Sequence, residues 1–255
     1  MPSSLRHLLS VGPSAVRHPR QALAFARLRL QSRRDARRER FSTRAHAELV
    51  RSRAGAIEEL FGVDAREQER MLGDATFPDQ LPFDQGSWDS RMPWMELLHL
   101  LVRIMRPSSV VETGVQWGYS TATILAALPD DSRLDSVDLP NLDRTSRERH
   151  AAAVPPALRE QWTLHLGDSR AELPRVLALR RPVDLFVHDS DHTYAGQMTE
   201  FRAAWPALRP GAMLVVDDVW HRALIDFARE VDAEPPLLIE RTSERDALGL
   251  LRRPA

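Results

Sequence analysis

From residue 108 onward short apolar runs alternate with helical stretches, and no other feature of this sequence narrows its possible folds so far. The runs Ser109–Thr113, Arg133–Asp138, Trp162–Leu166, Val183–Asp189 and Ala212–Asp217 read as strands, with a first helix at Thr121–Leu128. Glycine and proline mark the boundaries, as in Arg209-Pro210-Gly211. Strands separated by helices imply βαβ units, hence an α/β fold with a doubly wound, mostly parallel sheet and helices on both faces. Such sheets bind ligands at the carboxyl ends of their strands. The charge of this chain gathers there: His188-Asp189-Ser190-Asp191-His192 directly follows the apolar Leu185-Phe186-Val187.

The residues before 108 are organised differently. Residues 1–54 hold 13 arginines against Asp35, Glu39 and Glu48, a net of +10 in a chain whose total is −1. They read as an arginine-rich helical arm with a weak apolar stripe of Leu23, Phe25, Leu28 and Leu30. Such an arm suits nucleic acid, an anionic membrane surface or an acidic partner. The favoured reading is plainer, a solvated helix packed on the chain's own acidic body or on a second subunit of a homo-oligomer. Residues 55–107 read as a helical cap: one helix ends at Gly62, and the apolar spacing of Trp94 to Met105 is helical until Pro107 stops it. The turn-rich loop Phe77 to Pro93, with Phe83, Trp88 and the adjoining Trp94, is expected to form part of a lid. Residues 108–255 form the ligand-binding domain.

Composition removes several chemistries. All 35 basic residues are arginine and there is no cysteine, which excludes Schiff-base lysines, the lysine of a phosphate-binding loop, thiolate nucleophiles and disulfides. No apolar run reaches the roughly 18 residues of a membrane span, and no signal-like apolar run opens the chain. A cytoplasmic protein is expected.

The first strand is followed by Glu112-Thr113-Gly114-Val115-Gln116-Trp117-Gly118-Tyr119-Ser120. Two glycines let backbone pass close to a ligand, and the helix that follows presents free N–H groups. The spacing is G-x-x-x-G, not the G-x-G-x-x-G of dinucleotide enzymes, so a dehydrogenase is disfavoured. Asp138 closes the second strand 24 residues beyond Gly114, where an acid can take the two hydroxyls of a ribose. A third acid stands in Gly167-Asp168-Ser169, where Asp168 or Ser169 also suits a helix cap.

This order of motifs, with D-x-D-H at strand four and V-D-D at strand five, resembles class I S-adenosylmethionine-dependent methyltransferases over roughly residues 90 to 255. It is most similar to their metal-dependent O-methyltransferases, the group that includes catechol and macrolide-sugar methyltransferases. The resemblance implies a seven-stranded sheet of order 3-2-1-4-5-7-6, its last strands being Leu237–Arg241 and Leu248–Arg252. It implies that Glu112 and Gly114 line the methionine portion of S-adenosylmethionine, Gly118 and Ser120 its carboxylate, Asp138 the ribose and Asp168 the adenine amino group. Trp117 falls where that family's loop varies.

Neighbouring parallel strands four and five would set Asp189 beside Asp217 and Asp218. Three unpaired carboxylates repel unless a cation sits among them, and all-oxygen ligands select a hard dication such as Mg²⁺. Helix capping by Asp217 and Asp218 is the plainer alternative. His192 stands where similar enzymes hold a general base, and an imidazole there can take a hydroxyl proton. Asp191 is expected to orient it or to cap the next helix, and His188 to point away. The expected function is O-methylation of a small metabolite, with the metal chelating two adjacent oxygens of a vicinal diol or catechol on a sugar or polyketide. A metal-independent enzyme, a nucleic-acid methyltransferase using the arginine arm, and a non-catalytic binding module are the rivals. The acid triplet and the lack of an N/D-P-P-Y/F strand end weigh against the last two.

Overall fold

A computed structural model of the chain describes residues 19–35, 41–78, 91–140 and 150–255. The lid residues Phe83 and Trp88, and parts of the arginine arm, lie outside the described residues. In chain order the elements are α1 (Pro19–Asp35), a 3₁₀ turn (Thr43–Leu49), β1 (Val50–Arg51), α2 (Arg53–Phe61), α3 (Ala65–Gly73) and α4 (Met92–Met105). There follow β2 (Ser109–Thr113), α5 (Tyr119–Ala127), β3 (Arg133–Asp138), β4 (Trp162–Leu166), α6 (Ser169–Arg180) and β5 (Val183–His188). The chain ends with α7 (Tyr194–Ala204), β6 (Leu208–Val216), α8 (Ala223–Glu230), β7 (Leu237–Ser243) and β8 (Asp246–Arg252).

Among the described residues the strands make one sheet of eight in the order β1-β7-β8-β6-β5-β2-β3-β4. The expectation of seven strands is corrected: the two-residue β1 pairs in parallel with β7 and adds an edge. Only β8 runs antiparallel to its neighbours. Consequently β7 is parallel to β6, and the carboxyl ends of β2 to β7 share one edge of the sheet.

Period-two alternation divides each strand between two cores. Val110, Leu185, Val187 and Val215 pack with Ile57, Leu98, Leu101 and Ile124 on one face. Val111, Phe186, Leu214 and Val216 pack with Leu173, Val176, Phe201 and Phe227 on the other. From the stretch 55–107, α2 and α4 share a core with the sheet, and Trp94 is buried in it. Helix α4 ends in a left-handed Arg106 just before Pro107. Among the described residues, no helix is long and apolar enough to cross a membrane.

The same alternation sends Glu112 of β2 into the α5 layer. There Ser120 Oγ and Thr121 Oγ1 each donate to its carboxylate at 2.7 Å, and Ser136 Oγ donates at 2.6 Å. Burial pushes the Glu112 carboxyl up to about 7, against the pull of those hydroxyls and with Asp138 adding to the rise. An unfolded chain sheds this proton near 4.5, so stability contributed by protonated Glu112 at low pH is lost as pH rises from about 4.5 to about 7. Glu112→Gln cannot ionise. Its unfolding free energy relative to the parent should move by up to about 3 kcal/mol in the variant's favour between about pH 5 and pH 8; a difference flat in pH in chemical denaturation would contradict this.

Candidate functional site

The carboxyl ends of β2 to β5 open into a cavity of 340 Å³. Its floor is set by one glycine. Gly114 has φ +88, and a Cβ there would stand 1.9 Å from the carbonyl oxygen of Asp189, so only glycine lets the two strand ends meet this closely. The turn continues with Gln116, whose N–H donates to Asp138 Oδ2 at 2.8 Å. Leu139 N–H donates to Asp138 Oδ1 at 2.8 Å, and His150 Nε2 lies 2.9 Å from Oδ2.

Three of the six residues expected at the cofactor, Gly114, Asp138 and Asp168, line this cavity. Glu112 does not: it is fully buried below the strand end, its carboxylate spent on three hydroxyls. Gly118 is fixed by packing, since its left-handed φ of 87° caps α5 and a Cβ would meet Val154 Cγ2 at 2.8 Å. Ser120, with Trp117, borders a separate recess of 80 Å³ that also touches Gly114, Asp189 and Arg241.

Helix α1 closes the cavity from the side opposite the sheet, through Ala24, Phe25 and Leu28. It is held at three points. Arg27 Nη1 lies 3.2 Å from Asp168 Oδ2, Arg170 Nη2 donates to Gln31 Oε1 at 3.2 Å, and Tyr194 N–H donates to Asp35 Oδ2 at 2.7 Å. Asp168 also caps α6, accepting from Arg170 N–H at 3.1 Å. Its carboxylate thus works as both cap and anchor for α1.

Asp189, Asp217 and Asp218 converge as expected, but not unpaired. Arg241, at the end of β7, places Nη1 2.7 Å from Asp217 Oδ1 and pairs through Nη2 with Asp218 Oδ1. Asp246 fixes the guanidinium from behind, accepting from Nε at 2.7 Å. The carboxyls of Asp189 and Asp217 hydrogen-bond each other, and burial, with Asp217 and Asp218 nearby, pushes Asp189 well above the usual carboxylate range. Asp218 sits at φ 52, a conformation costing a non-glycine residue about 1 kcal/mol or more and kept by its ion pair. Among the described residues, no group of three His, Asp or Glu side chains is disposed to hold a metal ion. The expected Mg²⁺ ligand set of Asp189, Asp217 and Asp218 does not fit a dication in this arrangement, because a guanidinium already occupies two of its members.

His192 lies at the N-terminal approach to α7. Its Nε2 is 3.8 Å from both Asp189 Oδ1 and Asp218 Oδ2, and its ring is 5.1 Å from that of Trp220. Burial, then the neighbouring His188, lowers its pKa to about 4 against the pull of Asp218 and Glu200. The imidazole is neutral at physiological pH, with Nδ1 buried and without a protein partner. His188 is directed into the α7 side, where Nδ1 lies 2.8 Å from Glu200 Oε2. Asp191 accepts from Thr193 N–H at 3.1 Å, while Thr193 caps α7.

A second cavity, of 440 Å³, lies on the other side of His192. Phe41, Trp220 and His221 form one wall, and Leu28 and Asp35 of α1 form another. Ser190, Asp191 and His192 border both cavities. Leu28 of α1 borders both as well.

Residues 111–219 match a family described as a methyltransferase domain. Over 85 residues the chain is 29% identical to the 8-demethyl-8-(2-methoxy-alpha-L-rhamnosyl)-tetracenomycin-C 3'-O-methyltransferase of Streptomyces olivaceus, a match covering 33% of this chain and 20% of that protein. The chain thus spans about a fifth of the length of this curated relative. The fold is similar to that of the S-adenosylmethionine complex of TomG from Streptomyces achromogenes, an O-methyltransferase of tomaymycin synthesis. The TM-score is 0.53 and the identity 21%, over 74% of this chain and 99% of that one. Cofactor-bound Rv0187 from MTB gives a TM-score of 0.50 at 16% identity, over 78% and 95% of the two chains.

The buried position of His192 sets a measurable property. Nitrogen chemical shifts of its ring should report a neutral imidazole from about pH 8 down to about pH 5, against an ordinary midpoint near 6.5. A midpoint near 6.5 would show that the ring is solvated and the site open.

Proposed function

We propose that this chain, residues 111–219 of which match a family described as a methyltransferase domain, transfers a methyl group from S-adenosylmethionine to a hydroxyl of a small metabolite. The observation that carries this reading is the position of His192 between two cavities. The 340 Å³ cavity has the chemistry of a nucleoside site: a glycine turn, Asp138 with acceptor capacity for ribose hydroxyls, and Asp168 beyond it. The apolar and aromatic walls of the 440 Å³ cavity suit the acceptor.

When bound, S-adenosylmethionine supplies a sulfonium methyl to an attacking oxygen and leaves as the thioether. The chain's residues do the rest. Asp138, fixed by the N–H groups of Gln116 and Leu139, lines the cavity, and Gly114 gives backbone access beside it. Asp168 offers its carboxylate to the adenine end only by sharing it with Arg27. Neutral His192 accepts the hydroxyl proton at a ring nitrogen, and the Asp218 carboxylate near its Nε2 stabilises the imidazolium that results. Helix α1 and Trp220 wall the cavities in which the reacting groups would meet.

Two adjacent oxygens on the acceptor are required only by chelation, and the acid edge does not fit a dication. A single hydroxyl therefore suffices. A natural-product sugar or polyketide is the acceptor class this reading favours, supported by the rhamnosyl-tetracenomycin substrate in the name of the Streptomyces olivaceus relative.

The test uses isothermal titration with S-adenosylhomocysteine and mass spectrometry of a panel of hydroxylated acceptors. One equivalent of S-adenosylhomocysteine should bind, and products should gain one methyl group. His192→Ala should lower kcat by roughly 10² to 10⁴-fold and leave S-adenosylhomocysteine affinity within a few fold. A parent protein that does not bind S-adenosylhomocysteine would end this reading.

A further inference from the structure

We propose that Arg241 is the resident cation of the acid edge, and that the chain therefore binds no divalent metal there. The guanidinium reaches two of the three carboxylates at once, Asp217 at 2.7 Å through Nη1 and Asp218 through Nη2. Its planar fork matches paired carboxylate oxygens. The contact is built into the fold. Because β8 doubles back between them, β7 runs parallel to β6 and delivers its last residues to the edge where β6 delivers Asp217. Asp246, at the start of β8, then locks the guanidinium from the far side while Thr242 Oγ1 donates to its other oxygen at 2.5 Å. Only 9% of the Arg241 side chain is exposed, so it has no solvent-facing position to retreat to without abandoning Asp246.

A dication at this edge would have to displace Arg241 or sit against its charge. With Arg241 present the charge of Asp217 and Asp218 is already opposed by a guanidinium that the fold holds in place. The consequence for catalysis, that methyl transfer is insensitive to chelators, rests on the function proposed above; the occupancy of the edge does not.

The test is Mn²⁺ titration followed by electron paramagnetic resonance, on the full chain and on Arg241→Ala, each with and without S-adenosylhomocysteine. The parent should bind no Mn²⁺ at the edge at millimolar concentration. Arg241→Ala exposes the carboxylates and should gain one site at least about tenfold tighter, equivalent to about 1.4 kcal/mol, while Arg241→Lys, which keeps a positive charge, should not. Methyl transfer by the parent should survive dialysis against EDTA. A stoichiometric Mn²⁺ site in the parent overturns the proposal, as does a folded Arg241→Ala that gains none. Arg241→Gln, closer in shape, carries the same measurement if the alanine variant does not fold. Failure of the parent to bind S-adenosylhomocysteine in the same samples would count against the methyl-transfer reading and leave the assignment of Arg241 standing.

Discussion

Parallel strands that finish at one edge of a sheet bring their terminal residues together whatever the charge of those residues. Here the register of β5 against β6 pairs His188 with Val216, so the next residues, Asp189 and Asp217, must be neighbours. Asp218 follows in a left-handed conformation that turns its carboxylate back toward the same point. Carboxylates this close and this buried are costly unless opposed by positive charge. Arg241 supplies that charge from the end of β7, and the hairpin between β7 and β8 holds it in place. The site inherits its geometry from this compensation.

Behind the edge, two buried carboxylates tie strands to helices. Glu112 gathers hydroxyls from α5 and β3 on one face of the sheet. Glu200 of α7 gathers Thr113 Oγ1, Ser190 Oγ and His188 Nδ1 on the other. The loops that carry Gly114 and His192 are thereby fixed from both sides. Above them α1 is fastened by Asp35 and Arg27 to the starts of α7 and α6, which places part of an arginine-rich segment over a ligand cavity rather than in solvent.

The strand pattern was legible because buried parallel strands leave uninterrupted apolar runs with glycine and proline at their ends. Convergence of the three aspartates was legible for the same reason. What could not be read was who else arrives at that edge. Arg241 looks like the end of an ordinary strand, and its direction follows only once β8 is known to lie between β6 and β7. Within the glycine motif, the burial of Glu112 through alternation along β2 and the packing of a left-handed Gly118 against Val154 could not be read from the sequence. The edge strand β1, two residues long, is too short to leave a periodic signal, and α1 has too weak an apolar stripe to reveal where it docks.

The most direct measurement of this account is a crystal structure of the S-adenosylhomocysteine complex grown with Mn²⁺ and recorded at an energy where manganese scatters anomalously. The account predicts the nucleoside between Gly114, Asp138 and Asp168, the guanidinium of Arg241 between Asp217 and Asp218, and no anomalous peak at the strand ends. A manganese peak held by Asp189, Asp217 and Asp218, with Arg241 swung aside, would contradict it.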